Sequence, residues 1–142
     1  MEKYIALDLG TTTLGIAKSD YLGFVHGVET FRFDRNQYIV ARKRVHKLVE
    51  DEDIKNIVLG YPIKLNGQES EMSEICLRFR DDLLKEDPSL NIIMEDERLS
   101  TVSAHNILSN KGVNHDTRKA NVDKIAACVI LDTFLRRKEN GK

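Results

Sequence analysis

The sequence contains no tryptophan, two prolines and two cysteines in 142 residues. Cys76 and Cys128 lie far apart inside apolar helical patterns, which indicates reduced core thiols rather than a disulfide or a metal pair. No apolar run approaches the roughly 20 residues needed to cross a bilayer. The N-terminus has no basic segment followed by an apolar one, so no signal peptide is predicted. These absences favour a cytoplasmic globular protein without a membrane partner.

A strong charge of either sign is also missing, since the formal net charge is -1. The length predicts one domain over residues 1–138, with a frayed tail at 139–142. Basic residues nevertheless concentrate in Arg35–Lys47, around Arg118, Lys119 and Lys124, and in Arg136–Lys138. Such groups either bind nucleic acid or form solvated helix faces.

Hydrophobic periodicity predicts strands that first follow one another and then alternate with helices. In the third strand, alternation places Val25, Gly27, Glu29 and Phe31 on one face and Phe24, His26, Val28 and Thr30 on the other. The predicted strands are Tyr4–Leu9, Leu14–Lys18, Phe24–Phe33, Asn56–Gly60 and Leu90–Met94. The predicted helices cover approximately residues 36–50, 69–85, 100–109 and 118–137.

The short connections between the first three strands favour an antiparallel meander, and right-handed crossovers place the fourth and fifth strands beyond the first. The prediction is an α/β fold with a mixed five-stranded sheet of order 3-2-1-4-5, strand two antiparallel and helices on both faces. This is the ribonuclease H-like arrangement.

Acidic residues occur where this topology brings chain segments together. Asp8 falls between Leu7 and Leu9 in the central strand, where an uncompensated carboxylate costs several kcal/mol. Glu95–Glu97 follow the fifth strand, and Asp123 falls in the first turn or two of the last helix. Converging carboxylates indicate a divalent cation such as Mg²⁺ acting on a phosphodiester. The alternatives are a turn hydrogen bond for Asp8, a helix-dipole role for Asp123 and a solvated loop position for at least one of the three acids at 95–97.

Four segments resemble the YqgF (RuvX) family in order and spacing: DLGTTTLGIAKSD, VLGYPIKLNG, DERLST and VDKIAACVIL. The family consists of Holliday-junction-resolvase-like proteins that are also described as pre-16S rRNA nucleases. The resemblance covers nearly the whole chain. It implies phosphodiester cleavage with Mg²⁺ or Mn²⁺, and maturation of the 5′ end of pre-16S rRNA in the bacterial cytoplasm.

The resemblance also implies the site residues. Asp8, Glu97 and Asp123 match the catalytic and metal-binding acids, and Asp96 is the runner-up to Glu97. The predicted contacts to substrate phosphates are Arg98, Lys18, Arg118, Lys119, Thr12 and Thr13.

Two positions depart from related patterns. Thr12 and Thr13 stand where the first turn of the family often carries Lys-Arg, which removes two positive charges. Gly60 stands where related resolvases outside the family carry a carboxylate, so the second acid is expected from strand five.

Other functions compete with this interpretation. The same chemistry could act on branched DNA, as in a resolvase, and resolvases usually work as dimers. The sequence favours a monomer that acts on precursor rRNA or on ribosomal particles. A non-catalytic RNA-binding assembly factor would keep the fold without turnover. DLGTTT also resembles the phosphate turn of actin-like ATPases, but those enzymes close two such domains over ATP.

Overall fold

The computed structural model describes residues 2–62, 70–96 and 115–140. The predicted helix over residues 100–109 lies outside these ranges. In chain order the described elements are β1 (Tyr4–Leu9), β2 (Thr13–Ser19), β3 (Val25–Arg32), α1 (Tyr38–Glu52), β4 (Asn56–Tyr61), α2 (Glu71–Glu86), β5 (Asn91–Asp96) and α3 (His115–Asn140). None of these helices is long and apolar enough to cross a membrane.

The five strands form one sheet of order β3-β2-β1-β4-β5. β2 pairs antiparallel with both β1 and β3, whereas β1, β4 and β5 are mutually parallel. The predicted strand order and directions are therefore confirmed. The short β1–β2 and β2–β3 connections force antiparallel neighbours, and the helical crossovers produce parallel ones.

Each face of the sheet has its own apolar core. On β1, Ile5, Leu7 and Leu9 pack into a cluster with α1 and α2. Tyr4 and Ala6 point the other way and join the buried residues of α3. We call these the α1–α2 face and the α3 face. Fully burying one such apolar side chain contributes about 1.5–3 kcal/mol, so both faces stabilise the fold and the predicted two-sided covering is confirmed.

The boundaries of α2 and α3 differ from the predictions. α2 begins at Glu71 because Ser70 is its N-cap, and the Ser70 hydroxyl accepts a hydrogen bond from the backbone N–H of Ser73 at 3.2 Å. α3 already begins at His115, so Asp123 lies more than two turns into the helix rather than near its start. The same helix continues to Asn140, past the point where the sequence predicts fraying.

The predicted faces of β3 are wrong beyond Val28. Ala17 pairs with Gly27 but Ile16 pairs with Glu29, so Val28 is an extra residue in a β-bulge. A bulge of one residue reverses the alternation that follows it. Glu29 therefore lies on the α1–α2 face, where it accepts a hydrogen bond from Arg44 of α1 at 2.5 Å. Thr30 and Arg32 lie on the α3 face instead.

Candidate active site

Asp8 occupies the carboxyl end of the central strand. It follows the alternation of Tyr4 and Ala6, so its side chain is on the α3 face, and the residue is half-buried. Its partner across β2 is Gly15. Continuing the β1–β4 register by one residue places Gly60 on its other side. One transverse row of the sheet, the Asp8 row, thus contains Thr30, Gly15, Asp8, Gly60 and Glu95.

Asp123 lies close to the Asp8 row because Gly15 has no side chain to hold α3 away from β2. A Cβ built at Gly15 would lie 2.0 Å from the carbonyl oxygen of Asp123 and 2.4 Å from its carbonyl carbon. The backbone of α3 therefore rests directly on β2 at Asp123. Because Gly15 pairs with Asp8, an acid of the first strand and an acid of the last helix are neighbours, as the sequence predicts.

The turn after β1 is fixed by backbone hydrogen bonds. Gly10 N–H donates to the carbonyl oxygen of Thr13 at 2.7 Å, and Phe33 N–H donates to the carbonyl oxygen of Thr12 at 3.0 Å. Thr12 is exposed and Thr13 is half-buried. The turn therefore offers threonine hydroxyls at the edge of the sheet beside Asp8, but it carries no positive charge.

Glu95 is a buried acid that sequence analysis does not single out. It is 1% exposed and lies on the α3 face, where both of its oxygens accept hydrogen bonds from the guanidinium of Arg137. This bonding raises the pKa of Arg137. Glu95 thus belongs to the Asp8 row, but its charge is already balanced by α3. A sequence signal did exist, since Glu95 continues the alternation of Ile93 in a half-buried strand.

The other acids after β5 are placed differently. Asp96 is exposed and follows Ile92 and Met94, which pack on the α1–α2 face, so alternation directs it away from Asp8. Glu97 and Arg98 lie outside the described residues. The end of β5 lies at the same edge of the sheet as the end of β4, beside the Asp8 row.

The predicted phosphate contacts are scattered. Lys18 pairs with Ile5 on the α1–α2 face and donates to Glu52 of α1 at 2.7 Å, so it is not brought to Asp8. Arg118 and Lys119 lie in the first turns of α3, and Lys119 is one turn before Asp123. Among the predicted phosphate contacts in the described residues, Thr12 and Thr13 are close to Asp8 in the chain, because they belong to the turn that follows β1.

The donor chemistry of the site suits a hard cation. Asp8 and Asp123 offer carboxylate oxygens, which Mg²⁺ and Mn²⁺ prefer. The hydroxyl oxygen of Thr30, in the same row, is buried and has no hydrogen-bond partner within the described ranges. Among these residues no group of three His, Cys, Asp or Glu side chains could hold a metal. The two acids fit a divalent ion that takes its remaining ligands from elsewhere.

The architecture belongs to a known class. The chain superposes on RuvC of Thermus thermophilus, solved in complex with a Holliday junction substrate, with a TM-score of 0.60 over 97% of this chain and 96% of that one. The sequence identity is 10%, so this likeness shows the fold. The sheet order β3-β2-β1-β4-β5, with β2 antiparallel to the other strands, is that of the ribonuclease H-like class.

The sequence comparisons identify the family. A family model described as "RuvX: Holliday junction resolvase" matches residues 2–137. A protein of Geobacillus sp. (strain WCH70) named "Putative pre-16S rRNA nuclease" is 38% identical over 138 residues, which are 96% of this chain and 99% of that protein. A protein of the same name from Staphylococcus carnosus (strain TM300) is 34% identical over 94% of each chain. The chain belongs to the RuvX family and is a hydrolase of phosphodiester bonds, and this membership implies the use of a divalent metal ion.

Proposed function

We propose that the protein is a cytoplasmic endonuclease that matures the 5′ end of precursor 16S rRNA with Mg²⁺ or Mn²⁺. The observation that supports the proposal is the contact of the Asp123 backbone with Gly15, the residue that pairs with Asp8 across β1 and β2. Two neighbouring carboxylates repel one another unless a cation neutralises them. The names of the relatives support precursor rRNA, free or in ribosomal particles, as the substrate.

In this proposal Asp8, Glu97 and Asp123 hold the metal, and Asp96, the runner-up to Glu97 in the sequence, is left out because it follows the residues of β5 that pack on the α1–α2 face. A bound divalent ion would supply charge stabilisation and lower the pKa of a bound water. The chain itself positions the substrate. Gly60 lies beside Asp8 in the sheet and has no side chain, which would leave room for a phosphodiester next to the acid.

The remaining polar groups would orient the phosphates. The hydroxyls of Thr12 and Thr13 are at the open edge of the sheet, where they can donate to phosphate oxygens. Arg98 follows the acidic segment and supplies a bidentate donor for the same group. Arg118 and Lys119 precede Asp123 on α3 and would contact the nucleic acid farther from the cleaved bond.

Cleavage assays test the proposal directly. Purified wild-type protein is incubated with an RNA spanning the 5′ processing region in Mg²⁺, in Mn²⁺ and in EDTA. We expect metal-dependent cleavage and a loss on the order of 10³-fold in Asp8→Asn and Asp123→Asn, since each removes a ligand of the charge-stabilising ion. Asp132→Asn is the matched control, because Asp132 is a half-buried acid of the same helix, nine residues after Asp123, that pairs with Arg136 at 3.0 Å. Identical products from wild type and Asp8→Asn would contradict the proposal.

A second candidate substrate is branched DNA, which the RuvC-like fold and the family description favour. Synthetic four-way junctions are assayed beside the RNA, and the molecular mass is measured in solution. A monomer that cuts the RNA and leaves the junction intact supports rRNA maturation. Symmetric paired cuts by a dimer would assign the resolvase activity instead. A protein that binds RNA but cuts neither substrate would be a non-catalytic assembly factor.

A further inference from the structure

A nuclease must attract an anionic backbone to a site that is itself acidic. Within the described ranges the inner surface of the site carries Asp8 and Asp123, and the adjoining turn from Gly10 to Thr13 has no cation. Nucleic-acid binding draws much of its affinity from contacts between basic side chains and phosphates. The question is which described cation faces this part of the sheet.

Three of the four Lys and Arg residues of α1 form ion pairs elsewhere, and the fourth, Lys43, is exposed on the same helix. Arg42 pairs with Glu86 at 3.1 Å, Arg44 with Glu29 at 2.5 Å and Lys47 with Asp51 at 3.1 Å. These residues belong to a helix that packs on the α1–α2 face, away from Asp8. The basic group that the sequence displays most prominently is therefore largely neutralised by acids of α1, α2 and β3.

Arg32 is placed differently. It is the last residue of β3, it pairs with Thr13 across the sheet, and it is exposed. It lies two residues beyond Thr30 and hence on the α3 face, next to the Asp8 row. In the described part of the chain no acid forms an ion pair with it. Sheet dimensions put the Cα atoms of Arg32 and Asp8 about 12 Å apart.

This placement depends on the bulge at Val28. With regular alternation from Gly27, Arg32 would lie on the α1–α2 face. The extra residue turns it to the side of the acids, and re-aiming side chains beside active sites is a known use of bulges. The hydrogen bond from Phe33 N–H to Thr12 then fastens the residue after Arg32 to the turn.

We infer that Arg32, together with the Thr12–Thr13 turn, forms a phosphate-binding site for the nucleic-acid backbone beside the cleaved bond. The guanidinium donates in a planar fork that fits two phosphate oxygens, and the threonine hydroxyls are one strand away. The distance to Asp8 places the bound phosphate next to the scissile one rather than at it. This inference rests on the proposed nuclease function.

Salt-dependent binding without cleavage tests the inference. Fluorescence anisotropy measures the affinity of a labelled single-stranded RNA from the 5′ processing region, in EDTA, across a series of salt concentrations. We expect Arg32→Gln to bind about three- to tenfold more weakly and to lower the slope of log K against log salt by about 0.7, the value for one lost phosphate contact. Arg32→Lys should keep the slope but lose part of the affinity. Arg80→Gln on α2, under the opposite face, is the matched control and should bind as wild type does.

The outcomes separate this inference from the proposed function. If the wild-type protein cleaves the RNA and Arg32→Gln binds it with unchanged affinity and salt slope, the phosphate site is overturned and the nuclease function stands. An Arg32-dependent slope in a protein that cuts no RNA would keep the site and overturn the nuclease. If Arg32→Gln unfolds in a thermal melt, Arg32→Lys decides the matter, because unchanged affinity there excludes the bidentate contact.

Discussion

Replacing Gly15 by alanine should separate the two acids of the site. The added Cβ would stand 2.0 Å from the carbonyl oxygen of Asp123, about 1.4 Å short of the 3.4 Å at which ordinary contact begins. The obstacle is backbone on both sides, so no rotamer change relieves it and α3 must move by about 1 Å or more. Such overpacking costs about 3 kcal/mol, which lowers the melting temperature by on the order of 10 °C. A displacement of about 1 Å between reacting groups reduces turnover on the order of 10²-fold.

Gly27→Ala is the control for this experiment. It lies on the neighbouring strand beneath the same helix, but its Cβ would meet the flexible side chains of Lys124 and Cys128 at 3.1–3.3 Å. We expect a small change in stability and near wild-type turnover. Calorimetry and single-turnover cleavage measure both quantities for both variants. A Gly15→Ala protein with the melting temperature and rate of wild type would refute the seating of α3 on β2.

Two further predictions concern charge. Arg137→Gln leaves the Glu95 carboxylate buried without its cation, so we expect the free energy of unfolding in urea to fall by about 3 kcal/mol. An unchanged midpoint of urea unfolding would show that the Arg137–Glu95 pair is not formed. The Ser89 hydroxyl and then Lys55 lower the pKa of Asp87 from 3.8 to about 2. Because the folded pKa is the lower one, this stabilisation is present above pH 3.8 and is lost as the pH falls through about 2. NMR titration should show this value in wild type and a higher pKa in Ser89→Ala, and equal values would exclude the hydrogen bond.

The fold follows closely from the sequence because its determinants are local. Short turns after Leu9 and Ser19 force a meander, and the apolar runs of β1 and β4 are typical of central strands covered on both sides. The proximity of Asp8 and Asp123 could also be predicted from the sequence, because the topology brings the end of the first strand and a residue of the last helix to the same edge of the sheet. The small residues near Asp123 correctly indicate close packing, although the glycine that permits it is on β2.

The remaining features depend on contacts distant in sequence. Nothing in the β3 sequence marks Val28 as a bulge, so the faces of Glu29 and Arg32 could not be read from alternation. Glu95 lies in an acidic run that looks solvated, and its partner is 42 residues away on α3. Lys18 appears near the site in the sequence, yet it belongs to the opposite face through its pairing with Glu52.

The order of synthesis gives the seating of α3 a further consequence. β1 is made well before α3, yet α3 covers one of its sides, and Lys138 of α3 donates hydrogen bonds to Tyr4 and Glu2. At about 5–20 residues per second, the apolar side of the central strand waits on the order of ten seconds for its cover. Until α3 emerges, the nascent chain therefore lacks the helix that covers this face of the sheet, and Asp8 and Asp123 can come together only after that helix has been made.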